Sequence, residues 1–571
     1  PSICGRTMTA LQHRPERVAP QVTVEAPRRR RSGTLLFSVL AMLYFAIGYL
    51  LVMRYNLFDP DATSRVANAD YVISSRDPHL SAIGFVWNPL PSLVELPVLQ
   101  LARWWPPLRT HGLAGVVQSA AFMAAAALMV RRIALDRAVG TGWRRLAVAC
   151  FALQPMVLVY GGSGMSEAAE TFAILWCVRH LMLWTGTRHP RELAWAGMAL
   201  GIGYLSRYEV VPAAIGAAVF VSVVTMSGAQ YSRTARALAN VAIVMFPIVI
   251  ASTLWAISGW VVNQELFATL SSRYSNDSIV EAALRRDGLA GSAGSGDWVS
   301  VAARLFGMQP FVGIAAGAAI VQATLTRRSA ALAPIVTFGP ILAFAAWGQL
   351  TSMTFGWFRY YLLAIPLVVC VALALWSGGD RPPKTRRFAA VLVSLSIVVG
   401  YPVTIMASLN ERIGNQPLQF GFTSLLFPDR FTPERPQNQW YRRLMVDDRV
   451  LADYLDRQRL PAGSVLMDTF NTWGVWLTSA RPKQFVITSD YDFKAALNRP
   501  WAHDVQYLLV SSPAVGDADA LNVRYPTLWD DGAGISRLVY TVYGARGEER
   551  YRLYRLTGPP RSLREGWVGP F

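Results

Sequence analysis

The chain is divided into a succession of apolar runs, most of them close to the length that crosses a lipid bilayer. They stand at Thr34–Met53, Leu113–Val130, Leu146–Tyr160, Ala168–Trp184, Leu193–Leu205, Val210–Thr225, Leu238–Trp260, Val301–Ala323, Ala331–Gln349, Tyr360–Trp376 and Phe388–Met406. About 20 apolar residues in a helix cover the roughly 30 Å hydrocarbon core, where a backbone must satisfy its own hydrogen bonds. The pattern therefore predicts a polytopic α-helical membrane protein with about eleven transmembrane helices. Composition agrees, since 53% of the 571 residues are hydrophobic and 16% charged, with mean hydropathy +0.29. A soluble chain of this size carries more charge.

The net charge of +18 is a value that nucleic-acid-binding proteins also reach. Here the arginines stand in short clusters between apolar runs, as topology signals do, so nucleic acid is not an expected partner. Arg28 to Arg31 place the tail, residues 1–33, in the cytoplasm as a disordered basic segment, and the loop after the first run outside. Arg188 and Arg191, Arg233 and Arg236, Arg327 and Arg328, and the group Arg381, Lys384, Arg386 and Arg387 all fall inside on the same alternation. Ala82–Trp105 leaves two readings open, being apolar but broken by Pro89, Pro91 and Pro97 and carrying Glu95. As a span it puts Arg131, Arg132, Arg144 and Arg145 outside; as interfacial helices it puts them inside, which the charges favour. Cys4, Cys150, Cys177 and Cys370 have no spacing suited to a metal or a disulfide and read as packing residues.

An odd number of spans divides the chain into a membrane module, 34–407, and an extracytoplasmic α/β domain, 408–571. The domain combines an amphipathic helix at Asp447–Arg459 with β-like runs at Ser464–Phe470, Gln484–Ser489, Val505–Ser511 and Arg537–Tyr543. A second outer excursion, Val261–Asp297, is rich in Ser, Gly and charge and faces the first outer loop, the position of a lid.

Polar groups collect at the outer ends of the runs. They are Asp59, Asp61 and Arg65 in Asn56–Arg65; Glu167 closing Gly-Gly-Ser-Gly-Met-Ser-Glu; Arg207 and Glu209 in Leu-Ser-Arg-Tyr-Glu; and Arg359 in Trp-Phe-Arg-Tyr-Tyr. Transfer from a phosphate-linked donor needs such a set, with a carboxylate to accept a hydroxyl proton and cations to hold the departing phosphate. Each group also has a structural reading. Asp61 can cap a helix, Asp59 before Pro60 can set a turn, the arginines can snorkel to headgroups, and Glu167 and Glu209 can serve as helix-terminal or ion-paired residues.

The aspartate loop after the first helix, Trp87-Asn-Pro-Leu-Pro91, the Pro155–Glu167 stretch, Leu205-Ser-Arg-Tyr-Glu209 and Phe358-Arg-Tyr-Tyr361 together resemble the GT-C glycosyltransferases. They are most similar to bacterial relatives of the protein O-mannosyltransferases and the lipid A aminoarabinose transferase, and the Arg-, Ala- and Val-rich style is similar to actinobacterial members. The resemblance covers about Thr34 to Met406. It implies a multi-pass plasma-membrane enzyme that takes a sugar from a polyprenyl-phosphate donor and passes it, with inversion, to a glycan, lipid or protein acceptor of the cell envelope. Asp61 would be the catalytic base, with Arg207, Arg359 and Arg65 on the donor phosphate. Many members have Asp-Glu where this chain has Asp61-Ala62, so Asp59 or Asp77 is the candidate for the missing second acid, and His79 lies beside them. These residues neither call for a divalent metal nor argue against one. The rival classes are a transporter or flippase of a lipid-linked substrate, which favours charges near the bilayer middle and an internal repeat, and a non-catalytic envelope assembly protein.

Overall fold

The computed structural model describes residues 27–228, 232–272, 297–326, 329–376, 384–428, 440–515, 519–544 and 547–559. Most of the basic tail, the middle of the 261–297 excursion, Arg327, Arg328 and Arg381 lie outside the described residues. Among the described residues, seven helices are long and apolar enough to cross a membrane: Ser32–Arg54, Leu113–Asp136, Val210–Gly228, Arg233–Asn263, Ser329–Leu350, Phe358–Leu375 and Lys384–Leu409. Trp298–Met308 and Val312–Thr326 form an eighth when taken together, bent by 80° where Pro310 interrupts the backbone hydrogen bonding. The other three runs are helical but shorter, broken or more polar. Leu146–Tyr160 is split before Pro155, where the Gln154 side chain accepts from the Met156 and Val157 amides at 2.7 and 3.2 Å and starts a new helix. Ala168–Trp184 lies in the helix Glu167–Thr187, which carries Glu167, Glu170, Arg179 and His180, and Leu193–Leu205 lies in the 17-residue helix Pro190–Ser206.

Between the first and second spans the chain makes only short helices, the longest being Pro60–Ser74 and Leu90–Leu99. Ten residues reach about 15 Å, half of what a crossing needs. Among the described residues Ala82–Trp105 therefore holds no helix long enough to span, and Trp104 and Trp105 are exposed.

The bundle is organised around Phe358–Leu375, of which 94% is buried. A helix enclosed on all sides by apolar neighbours can carry a polar group only at its ends, and Arg359 stands at its beginning. Close packing elsewhere depends on glycine. A Cβ on Gly48 would lie 2.1 Å from the Gly162 carbonyl oxygen, so the first span packs backbone to backbone against the Gly161–Gly164 turn. Gly164 adds a φ of +80°, and the turn delivers Glu167 to the start of its helix.

The C-terminal domain is built on a five-stranded sheet. Its strands are β1 (Val465–Met467), β2 (Phe485–Val486), β3 (Tyr507–Ser511), β4 (Ser536–Tyr543) and β5 (Glu549–Leu556), in the order β2-β1-β3-β5-β4. The first three are parallel, and β5 runs antiparallel to both β3 and β4. The four predicted β-like runs each contain a strand, whereas β5 is new. Its sequence, Glu-Arg-Tyr-Arg-Leu-Tyr-Arg-Leu, alternates charge with aromatic and aliphatic residues and hides a strand whose Tyr551 and Leu553 are buried. The amphipathic helix is Trp440–Arg457.

The domain sits on the Pro60–Ser74 helix, and Val66, Tyr71 and Leu108 share one apolar core with Met445, Leu455 and Trp476. A polar clamp fixes the docking. Arg109 Nε donates to Asp70 Oδ2 at 2.6 Å, and its two Nη groups donate to the Ser479 and Trp476 carbonyls at 2.8 and 2.9 Å. Trp476 Nε1 donates to the same Asp70 oxygen at 2.8 Å, and Ser74 Oγ to the other at 2.7 Å. The pair is buried and its hydrogen bonds are made, the condition under which a buried ion pair is stable.

Two buried carboxylates face each other at the ends of β1 and β3. Asp468 accepts from the Phe470 and Ala520 amides, and Asp519 from the Leu521 amide and from the amide and hydroxyl of Ser511. Burial, with the neighbouring Asp468 charge adding to it, pushes Asp519 up to about 7.

Removing the Arg109 charge leaves Asp70 buried and unpaired. Arg109→Met is expected to cost about 3–5 kcal/mol, with part of the loss recovered on adding Asp70→Asn; thermal unfolding in detergent measures both, and an unchanged transition would remove the clamp. A second expectation concerns pH. An unfolded aspartate ionises near 4, while Asp519 in the fold keeps its proton to about 7, so the folded state binds the extra proton in between and stability falls as pH rises through that window. The transition should be higher at pH 5 than at pH 7.5, and Asp519→Asn should reduce the difference, with Asp448 and Asp490, which burial raises to about 6, contributing to the rest.

Candidate active site

The Asn56–Arg65 stretch folds as a turn entering a helix. Pro60 occupies the first helical position and Asp59 is the cap, its Oδ1 accepting from the Asp61 amide at 3.0 Å. Capping thus falls to Asp59, and the Asp61 side chain is left for other work. It reaches Arg359, whose Nη2 lies 2.6 Å from Asp61 Oδ2.

Arg359 holds three carboxylates at once. Beside Asp61, its Nη1 is 3.4 Å from Asp59 Oδ2 and its Nε 3.3 Å from Glu167 Oε1. The guanidinium also lies over the Trp357 ring at 3.9 Å, an attraction that restricts its rotation. Arg207 repeats the arrangement on the other side of Glu167, with Nη1 at 2.9 Å from Glu167 Oε1, Nε at 3.4 Å from Glu170 Oε2, and Nη2 paired with Glu209. Glu167 therefore joins the two arginines through one oxygen. Arg65 completes the group, donating to the Asp61 carbonyl at 3.0 Å and lying over Trp87 at 4.3 Å. Burial pushes the Asp59 carboxyl up to about 6 against the pull of Arg359, with Asp61 and Glu167 adding to the rise.

These groups open into a cavity of about 1270 Å³. Asp61, Arg65, Arg207 and Arg359 line it from the membrane module, and Asp468, Asn471 and Asp490 from the C-terminal domain. Val262, Glu265 and Thr269 also line it, so the described part of the second excursion borders the cavity. A narrower crevice, about 30 Å³, leads from Glu170, Arg207 and Arg359 toward the apolar side chains of Ile341 and Phe344.

Seven of the sequence-predicted residues, Asp59, Asp61, Arg65, Glu167, Arg207, Glu209 and Arg359, thus form one constellation. His79 lies farther out on the cavity wall, stacked on Tyr491 at 4.2 Å, with Nδ1 2.6 Å from the Asp77 carbonyl oxygen. Asp77 is not among the lining residues. The acids beside Asp61 on Arg359 are Asp59, one of the two candidates for the second acid, and Glu167, whereas Asp77 stands apart from it. Sequence reasoning missed Glu170, although its spacing of three from Glu167 puts both on one helix face. The C-terminal domain, expected from its placement alone to contribute to acceptor binding, supplies one wall of the cavity. Among the described residues, no three His, Cys, Asp or Glu side chains are grouped so as to hold a metal ion.

Fold and site together define a membrane-embedded helical bundle whose buried arginine–carboxylate network opens to a cavity roofed by a small α/β domain. No family model matches the sequence, and no curated protein matches it. Two crystal structures of ArnT from Cupriavidus metallidurans are similar to the chain. The one bound to undecaprenyl phosphate is 13% identical, with TM-score 0.45, covering 93% of this chain and 99% of that chain. The one in the apo state is 15% identical, with TM-score 0.47, covering 95% and 100%.

Since Glu167 serves both arginines from a buried position and Glu209 only one from a more open position, their removal should differ. Glu167→Gln is expected to cost about 3–5 kcal/mol and Glu209→Gln about 1 kcal/mol or less, read as thermal shifts in detergent. Equal shifts would show that Glu167 does not hold the network together.

Proposed function

We propose that this protein is a GT-C-type glycosyltransferase that moves a sugar from a polyprenyl-phosphate donor to a hydroxyl of a cell-envelope acceptor. The observation that carries the reading is the Asp61–Arg359 pair at 2.6 Å on the wall of a large cavity at the end of the most buried helix of the bundle. It puts a base and an anion-binding cation within one side chain's reach of each other. Ile341, Phe344 and Leu363 stand beside Arg207 and Arg359 at a small crevice, so apolar helix surface adjoins the cations, as suits a donor whose apolar chain lies among the membrane helices while its phosphate stays at the arginines.

In the reaction, the acceptor hydroxyl oxygen bonds to the anomeric carbon as the carbon–oxygen bond to phosphate breaks. The bonding pair leaves with the phosphate oxygen, and the hydroxyl proton passes to an Asp61 carboxylate oxygen. Attack opposite the leaving group inverts the anomeric centre. The phosphate, on arriving, competes with Asp61 for Arg359, so binding the donor also releases the base. Arg207 and Arg65 supply the remaining positive charge; three carboxylates hold Arg207, and the Asp61 carbonyl and the Trp87 ring hold Arg65, before the donor arrives.

The basic clusters support a plasma-membrane protein with a cytoplasmic N-terminus and with the cavity and C-terminal domain on the outer side. The domain division at about residues 33 and 407 follows from the same alternation. A flippase reading is less well supported, because the charged groups gather at helix ends beside a cavity.

The purified protein, given radiolabelled polyprenyl-phosphate sugars and membrane extract as acceptor source, should transfer label. Asp61→Asn should lower the rate by about 10²–10⁴-fold, the usual contribution of a general base, while the variant still binds donor. Transfer undiminished in Asp61→Asn would overturn the mechanism, and lipid movement without sugar transfer would favour the flippase.

A further inference from the structure

The order β2-β1-β3 sends the connection that leaves β1 to one side of the sheet and the connection that arrives at β3 to the other. At the carboxyl ends of β1 and β3 the chain therefore parts and leaves a crevice, the place where open α/β sheets bind ligands. In this protein that edge faces the reactive cavity rather than bulk solvent. Thr469 and Asn471 after β1, Thr488 to Asp490 after β2, and Ser511 at the end of β3 all line the cavity that Asp61 and Arg359 line from the membrane side. The charged cluster and the sheet crevice are two ends of one space. At about 1270 Å³ it exceeds the roughly 300–1,000 Å³ of ordinary small-molecule pockets.

The two ends differ in chemistry. The membrane end concentrates guanidinium groups, which suit a phosphate. The sheet end presents hydroxyls, an amide and side chains of both charges, with the aromatic rings of Phe470, Trp473 and Tyr491 beside them. Asp490 is 4% exposed; its Oδ2 accepts from the Ile487 amide at 3.2 Å and lies 3.5 Å from Arg76 Nη2, while its buried Oδ1 has no hydrogen-bond partner among the described residues. Ser489 Oγ is buried and unpartnered there as well. A buried acceptor oxygen without a donor is costly unless a ligand supplies one. Tyr491 is 73% exposed and presents its ring at the cavity wall. Paired hydroxyls of a sugar satisfy acceptor oxygens and an amide together, and the apolar face of the ring packs on aromatic side chains. The charged side chains of the C-terminal domain that line this end balance, Asp468, Asp490 and Glu548 against Lys494, Arg524 and Arg550, so it offers an anionic chain no net attraction.

We infer that the crevice at the carboxyl ends of β1, β2 and β3 holds the acceptor, and that the acceptor is the end of a neutral, hydroxyl-rich glycan chain whose terminal hydroxyl extends to Asp61. This rests on the transfer reading above. It assigns the C-terminal domain to acceptor selection and the membrane module to the donor.

The test uses the full-length protein in lipid nanodiscs and saturation-transfer NMR. The probes are three neutral hexasaccharides, mannohexaose, arabinohexaose and cellohexaose, with hexagalacturonate as an anionic chain of the same length. Binding of undecaprenyl phosphate is measured on the same samples. At least one neutral hexasaccharide should show saturation transfer, reduced fivefold or more in Asn471→Ala and Thr488→Val and retained in Arg359→Ala. Undecaprenyl phosphate should show the reverse dependence. Ser489→Ala, a smaller change, should weaken glycan binding even if a larger substitution unfolds the domain. If undecaprenyl phosphate binds but none of the neutral chains does, the acceptor crevice is overturned and the donor reading stands. If a glycan binds equally to all crevice variants, or hexagalacturonate binds more tightly than the neutral chains, the inference is overturned. If glycan binds at the crevice but undecaprenyl phosphate does not bind, the donor reading fails, and with it the role of acceptor in this transfer.

Discussion

A guanidinium buried to 5% exposure at the head of the central helix cannot stand alone. Desolvating an arginine costs several kcal/mol unless opposite charges and hydrogen bonds compensate, so Arg359 must gather carboxylates wherever the chain can bring them. It obtains them from two separate elements, Asp59 and Asp61 from the start of the Pro60–Ser74 helix and Glu167 from the start of Glu167–Thr187. Both are helix N-termini, where the backbone dipole also favours negative charge. Once Glu167 is placed, it fixes Arg207, and Arg207 in turn orders Glu170 and Glu209. One electrostatic requirement thus ties together helices that are far apart in sequence.

The docked domain makes that network consequential. Through the Asp70–Arg109–Trp476 clamp it closes over the charged end of the bundle and turns an open surface into a cavity. Charges next to low-dielectric walls interact more strongly than in open water, and a phosphate placed there is held more firmly. Asp70 of the clamp lies on the same short helix as Asp61, nine residues further along. The helix therefore serves two ends at once. Its first turn meets Arg359, and its last turns carry the domain.

Much of this was legible in the sequence, and the reason is chemical. Apolar runs of bilayer length have few alternative folds, so the helical membrane module followed from them. Charged residues at the ends of such runs are costly to place without a function or a partner, which marked Asp61, Arg207 and Arg359 before any geometry was known. What stayed hidden depended on tertiary contacts. Asp70 and Arg109 look like ordinary polar residues until Trp476 is seen between them. Glu170 sat within an apolar run and gained meaning only from Arg207. Strand β5 escaped because its outward face is charged, and its identity comes from pairing with β3 and β4 rather than from its own pattern. The split at Gln154 is likewise a local matter, decided by Pro155 and one side-chain oxygen.

The balance of charge within the network bears on the order of events. Five carboxylates, Asp59, Asp61, Glu167, Glu170 and Glu209, surround Arg207 and Arg359, with Arg65 alongside. An anion entering such a site finds Arg207 and Arg359 already ion-paired and must displace a carboxylate to take either, whereas Arg65 meets only the Asp61 carbonyl and the Trp87 ring. Asp61 is the carboxylate most open to displacement on geometric grounds, since it faces the cavity and holds Arg359 from the tip of a side chain, whereas Glu167 is buried between two arginines. In the proposed reaction the incoming phosphate would take over the contact that Asp61 gives up. The base would then become free only when the donor is present, which links proton acceptance to donor occupancy without any change in the fold.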